Sequence, residues 1–234
     1  SDLSDFNLYG GIYRYLNLEY VPDVSLDHVY ASVTTDKAGK AGNLNIKGTF
    51  RFPKGMDSAN IEVPLKDASG KTVAVRQNNL NDLRSNMPIA NITIKKPQLW
   101  SPDKPYLYSL AVRIIESGYV KTQHIGFRSF EFREKGPFFL NGKRLLLQGT
   151  HRHEDHAGVG AAMTEGMIRQ EMQLMKDMGV NFIRLGHYQQ SPIVLDLCDS
   201  LGILVWEEIP WCRGGLGGEV YQAQAKGMAK NMVG

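Results

Sequence analysis

Between residues 25 and 128 apolar and polar residues alternate over short runs, the pattern of strands that bury one face. The alternation predicts strands at Leu26–Thr34, Leu44–Phe52, Ile61–Lys66, Thr72–Gln77, Ile89–Ile94, Leu107–Ile115 and Val120–Phe127. In LYSLAVRI (107–114), Leu107, Ser109, Ala111 and Arg113 should face one way and Tyr108, Leu110, Val112 and Ile114 the other. Turn residues at Asp67–Gly70 and Glu116–Gly118 separate the runs. Seven short strands in about 100 residues suggest an immunoglobulin-like β-sandwich.

The period changes from about Gly136 onward. LLLQG (145–149) reads as a short buried strand. Thr164–Met178 reads as a helix with Ile168, Met172, Met175, Leu174 and Met178 on an apolar stripe, closed by Gly179. NFIRL (181–185) follows as a strand. A second helix has Ser191 as its N-cap and Pro192 at its first position, and ends at Gly202. ILVWEE (203–208) is a third strand, and Tyr221–Met232 a third helix. This alternation is the start of a parallel α/β unit, and three strands do not close an eight-stranded barrel. The expected fold class is thus multidomain, β plus α/β: an immunoglobulin-like sandwich followed by an incomplete (β/α)8 TIM barrel. Residues 1–22, with LYGGIYRYLNL (8–18), are expected to be a remnant strand of a preceding domain, 23–132 the sandwich and 133–234 the barrel segment.

Composition narrows the function classes. The chain has 234 residues and a formal net charge of +3. Its lysines and arginines are scattered, which argues against a nucleic-acid surface. The apolar runs fall short of the ~18–20 residues that span a membrane, and no signal peptide stands at the SDLSDFN start. Two cysteines, Cys198 and Cys212, define no disulfide framework, and Cys198 reads as a core residue. The compartment stays open.

Chemistry concentrates at 149–210, where GTHRHEDH (149–156), NFIRLGHYQQ (181–190) and ILVWEEIP (203–210) carry four of the six histidines. Parallel α/β folds gather functional groups at the carboxyl ends of their strands. His151 and His153 share a strand face, a spacing that could serve a metal-dependent hydrolase, although Arg152 and Arg184 would repel a cation. Glu207 and Glu208 are adjacent and therefore point to opposite faces, so they are not a glycosidase pair.

These motifs carry a resemblance. FFLNGKRLLLQGTHRHEDH (138–156), VNFIRLGHYQQSP (180–192) and CDSLGILVWEEIP (198–210) resemble glycoside hydrolase family 2, particularly its β-galactosidases. LWSPDKPYLYSL (99–110), IGFRSFEF (125–132) and LYGGIYR (8–14) extend the match over essentially the whole chain, the last of them resembling the final strand of the family's jelly-roll sugar-binding domain. Leu185 at a small-residue position, Gln189 where proline is common, and His151 where asparagine is frequent depart from the family pattern. The resemblance implies a retaining hydrolase of terminal β-galactosides, with His153, Arg184 and His187 lining the sugar pocket. His151, Glu154, Glu207 and Glu208 are expected to support them. The family's acid/base and nucleophile glutamates have no counterpart here, so this chain alone is expected to be inactive. No cofactor is expected in it; family members often bind magnesium, but WCRGG (211–215) does not reproduce their ligand pattern. The expected partner is a galactoside-type carbohydrate, and open barrel edges should favour a homo-oligomer or a disordered end near 211–234. A non-catalytic carbohydrate-binding or assembly module is the competing reading.

Overall fold

The computed structural model describes residues 7, 9–36, 39–81, 87–210, 215 and 217–233. The chain divides into two compact units, Leu18–Leu146 and the pair of segments Ser1–Asn17 and Leu147–Gly234.

The first unit is the β-sandwich. Strands β1 (Ser25–Thr35), β2 (Ala41–Arg51) and β5 (Met87–Lys95) form one antiparallel sheet in the order β1-β2-β5. Strands β3 (Ser58–Lys66), β4 (Thr72–Asn81), β6 (Tyr108–Ile114) and β7 (Val120–Ile125) form the other, in the order β4-β3-β6-β7. All seven expected strands are present. Their inward residues interleave into one core of Leu44, Ile46, Ile61, Leu65, Ile92, Leu110 and Ile114, among others. The β6 alternation holds: Tyr108, Leu110, Val112 and Ile114 are buried, while Ser109, Ala111 and Arg113 are less so. With no disulfide to join the sheets, apolar burial of this kind holds them together. A small antiparallel ribbon, β8 (Phe130–Glu131), β9 (Phe139–Leu140) and β10 (Lys143–Arg144), completes the unit. Residues 133–146 lie in the same compact unit as the sandwich.

The second unit is built on a parallel sheet, β11 (Gly149–Arg152), β12 (Phe182–Leu185) and β13 (Leu204–Glu207), in that order. Helix α1 (Glu165–Asp177) connects β11 to β12, and α2 (Pro192–Leu201) connects β12 to β13. Helix α3 (Glu219–Val233) follows. Ile183 and Leu185 on β12 pack with Ile168 and Met172 of α1 and with Val194 and Leu197 of α2. Cys198 lies in this core, and burial pushes its thiol up to about 12; Cys212 lies outside the described residues.

Helix α1 is capped by Thr164, whose side chain accepts from the Met167 amide. At its end Gly179 adopts φ +87° and donates to the Lys176 carbonyl while Val180 donates to Met175, a Schellman closure that a glycine makes possible.

Several expectations need correction. The run at 145–147 is neither buried nor a strand: Leu146 is 67% exposed, and pairing starts only at Gly149, opposite Phe182. Leu174 and Met178 are exposed, so the buried stripe of α1 is narrower than its periodicity suggested. Residues 9–22 form no strand; instead Tyr9, Arg14 and Tyr15 dock on the barrel segment through Asp155, Glu154 and the Glu165 amide. Ser191 holds the N-cap position of α2 as expected, without a side-chain hydrogen bond there. No described helix is long and apolar enough to cross a membrane.

Candidate functional site

The parallel register decides which side chains meet. His151 pairs with Arg184 and Arg184 with Trp206, while Arg152 pairs with Leu185 and Leu185 with Glu207. Successive residues alternate faces, so His151 and Arg184 share one face and Arg152 and Glu207 the opposite, helix-covered one. His153 and Glu208 continue the first row just past the strand ends.

On this first face Arg184 is the hub. Its Nε donates to Oε1 of Glu208 at 2.7 Å and its Nη1 to Nδ1 of His151 at 3.0 Å. The other Glu208 oxygen lies 2.8 Å from Nδ1 of His187. A carboxylate only accepts, so His187 carries its proton on Nδ1. The 3.3 Å approach of Arg184 Nη2 to that nitrogen is thus a contact between two donors. His151 instead accepts at Nδ1 and has its proton on Nε2, turned to the Gly186 backbone. A side chain at Gly186 would press on His151 Nε2 and Glu208 Oε2. His151 stacks on His153 at 4.7 Å between ring centroids, and His187 lies 5.6 Å from His151 and 5.7 Å from His153.

Charge follows geometry. Burial, then the Arg184 cation and His187, hold the His151 imidazole below the usual histidine range. For Glu208, burial raises the carboxyl, but the hydrogen bonds and charges of Arg184 and His187 outweigh it and hold the group below the usual range.

Behind this face lies a supporting layer. Glu154 is 4% exposed; its Oε1 accepts from Arg14 Nε at 2.9 Å and its Oε2 from the Ser191 amide at 2.5 Å. It therefore satisfies the Ser191 amide, one of the donors left free at the start of α2, and sets a negative charge there. Tyr188 joins the layers: its hydroxyl accepts from the Glu154 amide at 2.9 Å and lies 3.4 Å from His153 Nδ1. Arg152 is buried away from the histidines, bonded to Gln190 at 2.5 Å and Glu171 at 3.0 Å. Among the described residues, then, Arg184 rather than Arg152 is the cation set against the imidazoles. Glu207, on the helix-covered face, has a buried Oε1 without a hydrogen-bond partner among the described residues, and burial raises its carboxyl.

The structure thus brings together His151, His153, Arg184, His187 and Glu208, sets Glu154 directly behind them, and removes Glu207. Arg14 and Tyr188 were not anticipated as supports. A buried carboxylate such as Glu154 calls for a cation, but nothing local in the sequence points to one 140 residues away.

Ring nitrogens of His151, His153 and His187 lie within 4.8 Å of one another. Magnesium prefers oxygen ligands, which this group does not supply. A softer ion would need the His151 lone pair that Arg184 engages, and would sit beside a guanidinium. The trio is better suited to hydrogen-bonding a polyol rim while Arg184 holds an anionic or hydroxyl oxygen.

Two family models match the chain: "Glycosyl hydrolases family 2" over residues 24–128 and "Glycosyl hydrolases family 2, TIM barrel domain" over 131–228. A solved β-glucuronidase from Parabacteroides merdae is 54% identical and superposes with a TM-score of 0.93, covering 100% of this chain and 29% of its own. A β-glucuronidase of Bacteroides fragilis is 32% identical, covering 91% of this chain and 32% of its own length. A β-galactosidase of Thermoanaerobacter pseudethanolicus is also 32% identical, covering 99% and 31%. The chain spans about a third of the length of these relatives.

Proposed function

The chain belongs to glycosyl hydrolase family 2, and from that premise we propose that the protein containing it is a retaining glycosidase acting on terminal β-glucuronides. His153, Arg184 and His187 line the pocket for the terminal sugar, with Glu208 fixing the orientation of Arg184 and His187. The observation that carries the glucuronide reading is the 54% identity to the Parabacteroides merdae β-glucuronidase over the whole chain. A guanidinium flanked by imidazoles suits an acidic, hydroxyl-rich ligand. This replaces the galactoside expectation as first choice; galactosides remain the second reading, favoured by the Thermoanaerobacter relative.

The chemistry of retention needs two carboxyl groups ~5–5.5 Å apart, one as nucleophile and one as acid/base. Glu207 and Glu208 cannot provide them, because one faces the helices and the other is committed to Arg184 and His187. The share of the reaction assigned to this chain is to bind and orient the sugar, with both reactive carboxylates supplied elsewhere in the protein.

The deciding experiment compares kcat/KM of the full-length protein on p-nitrophenyl β-D-glucuronide and on the matching galactoside. The proposal predicts at least a hundredfold preference for the glucuronide. A preference for the galactoside would select the second reading, and activity on neither would remove both.

A further inference from the structure

We propose that Arg14 is a positioning residue for the pocket: it braces, from far upstream, the two loops that carry His153 and His187. Its guanidinium spans both. Nε donates to Oε1 of Glu154 at 2.9 Å, in the loop after β11, and Nη2 donates to the Gln189 carbonyl at 2.8 Å, in the loop after β12. Between these anchors stands Tyr188, whose hydroxyl receives the Glu154 amide and lies against His153. His187 is the residue before Tyr188. One planar fork thus fixes the spacing of the two loops whose imidazoles lie 5.7 Å apart.

The energetics favour this role over a surface ion pair. The Glu154 side chain is 3% exposed, so its charge has left water and needs partners held in place. The Ser191 amide supplies one at 2.5 Å, and Arg152 Nη1 stands farther off at 3.8 Å. Arg14 is therefore the cation in direct contact with the carboxylate. A lysine could keep the charge but could not bond Glu154 and Gln189 together from one fork. Tyr9 and Tyr15 dock the same segment on either side, through Asp155 and the Glu165 amide, so Arg14 is presented by a segment seated independently of it.

The proposal stands on geometry and rests on the sugar-pocket reading only for its consequence, and the test separates the two. The uniformly 15N-labelled chain gives backbone amide signals together with ring signals for six histidines, of which His28 and His124 lie in the sandwich and serve as internal references. In Arg14→Ala the ring signals of His153 and His187 should move or broaden, with those of His28 and His124 unchanged. Arg14→Lys should give a smaller displacement of His153 while still moving the Tyr188 and Gln189 amides. Arg169→Gln, which removes an exposed pair with Glu165 on α1, should leave all six rings in place. If Arg14→Ala fails to fold, Arg14→Lys decides alone. Wild-type positions for His153, Tyr188 and Gln189 in every folded Arg14 variant would overturn the proposal. Sugar titration of the wild-type chain is scored separately: displaced rings in the variants without sugar binding would keep the brace and remove the pocket reading.

Discussion

Arg184 places Nε 2.7 Å from Oε1 of Glu208, and the same carboxylate turns its second oxygen to His187 Nδ1 at 2.8 Å. One acidic residue on β13's end thereby orients a guanidinium on β12 and an imidazole in the loop beyond it. Glu208→Gln should cost about 1–2 kcal/mol at pH 7, the range of a charge-assisted bond partly open to solvent. The sign with pH follows from the lowered carboxyl. Its stabilisation is fully present above the unfolded carboxylate value of about 4.3 and is lost as pH falls through the lower folded value. Urea unfolding of both proteins from pH 7 to pH 3 checks this, and a gap that stays constant across that range would contradict it.

Glu207 behaves in the opposite sense. Its carboxyl is raised by burial on the helix-covered face, where Oε1 finds no partner among the described residues. The folded state therefore holds the proton to higher pH than the unfolded chain, and stability falls as pH rises from the unfolded value to the raised folded one. Glu207→Gln removes that loss. We expect a melting temperature about 2–4 °C higher at pH 7 for each kcal/mol gained, and no gain in acid, where the wild-type group is neutral in both states. A lower melting temperature at pH 7 would show that the charge is satisfied.

Two glycines near the barrel segment should respond in opposite directions. A Cβ at Gly149 would lie 2.4 Å from the Phe182 carbonyl oxygen, a backbone atom that cannot step aside. Gly149→Ala should destabilise by at least about 1–3 kcal/mol and loosen the β11–β12 pairing. At Gly166 in α1 the nearest atom is the Thr164 hydroxyl at 3.9 Å, so Gly166→Ala should stabilise by about 0.5–1 kcal/mol. Denaturant midpoints measured side by side test both.

Arg152 ties β11 to α1 through Glu171 and to the β12–α2 loop through Gln190. Arg152→Met would strand these partners in a buried setting, with an expected cost of about 3–5 kcal/mol. Calorimetric unfolding of the variant measures it; a loss below 1 kcal/mol would mean that solvent reaches the site.

The sandwich was legible because each strand states its own burial: Tyr108, Leu110, Val112 and Ile114 alternate with polar neighbours, and the period alone assigns their face. The separation of Glu207 from Glu208 was legible for the same reason. The run at 145–147 misled, since apolar character does not reveal which atoms cover a segment, and pairing here begins at Gly149. Ser191 and Pro192 marked the start of α2 correctly; that a distant carboxylate, Glu154, accepts from the Ser191 amide was not legible. Arg14 was illegible because its meaning depends on a contact across 140 residues. Arg152 was read with the wrong neighbours, although its place between His151 and His153 already sets it on the opposite face.

We propose His153, Arg184 and His187 as the sugar-binding floor of a family 2 glycosidase. The most direct test is kcat/KM of the full-length protein on p-nitrophenyl β-D-glucuronide, wild type against His153→Ala and His187→Ala. Each should fall by about a hundredfold or more, equivalent to about 2.7 kcal/mol of lost transition-state stabilisation. Folded variants whose kcat/KM stays within twofold of wild type would contradict it.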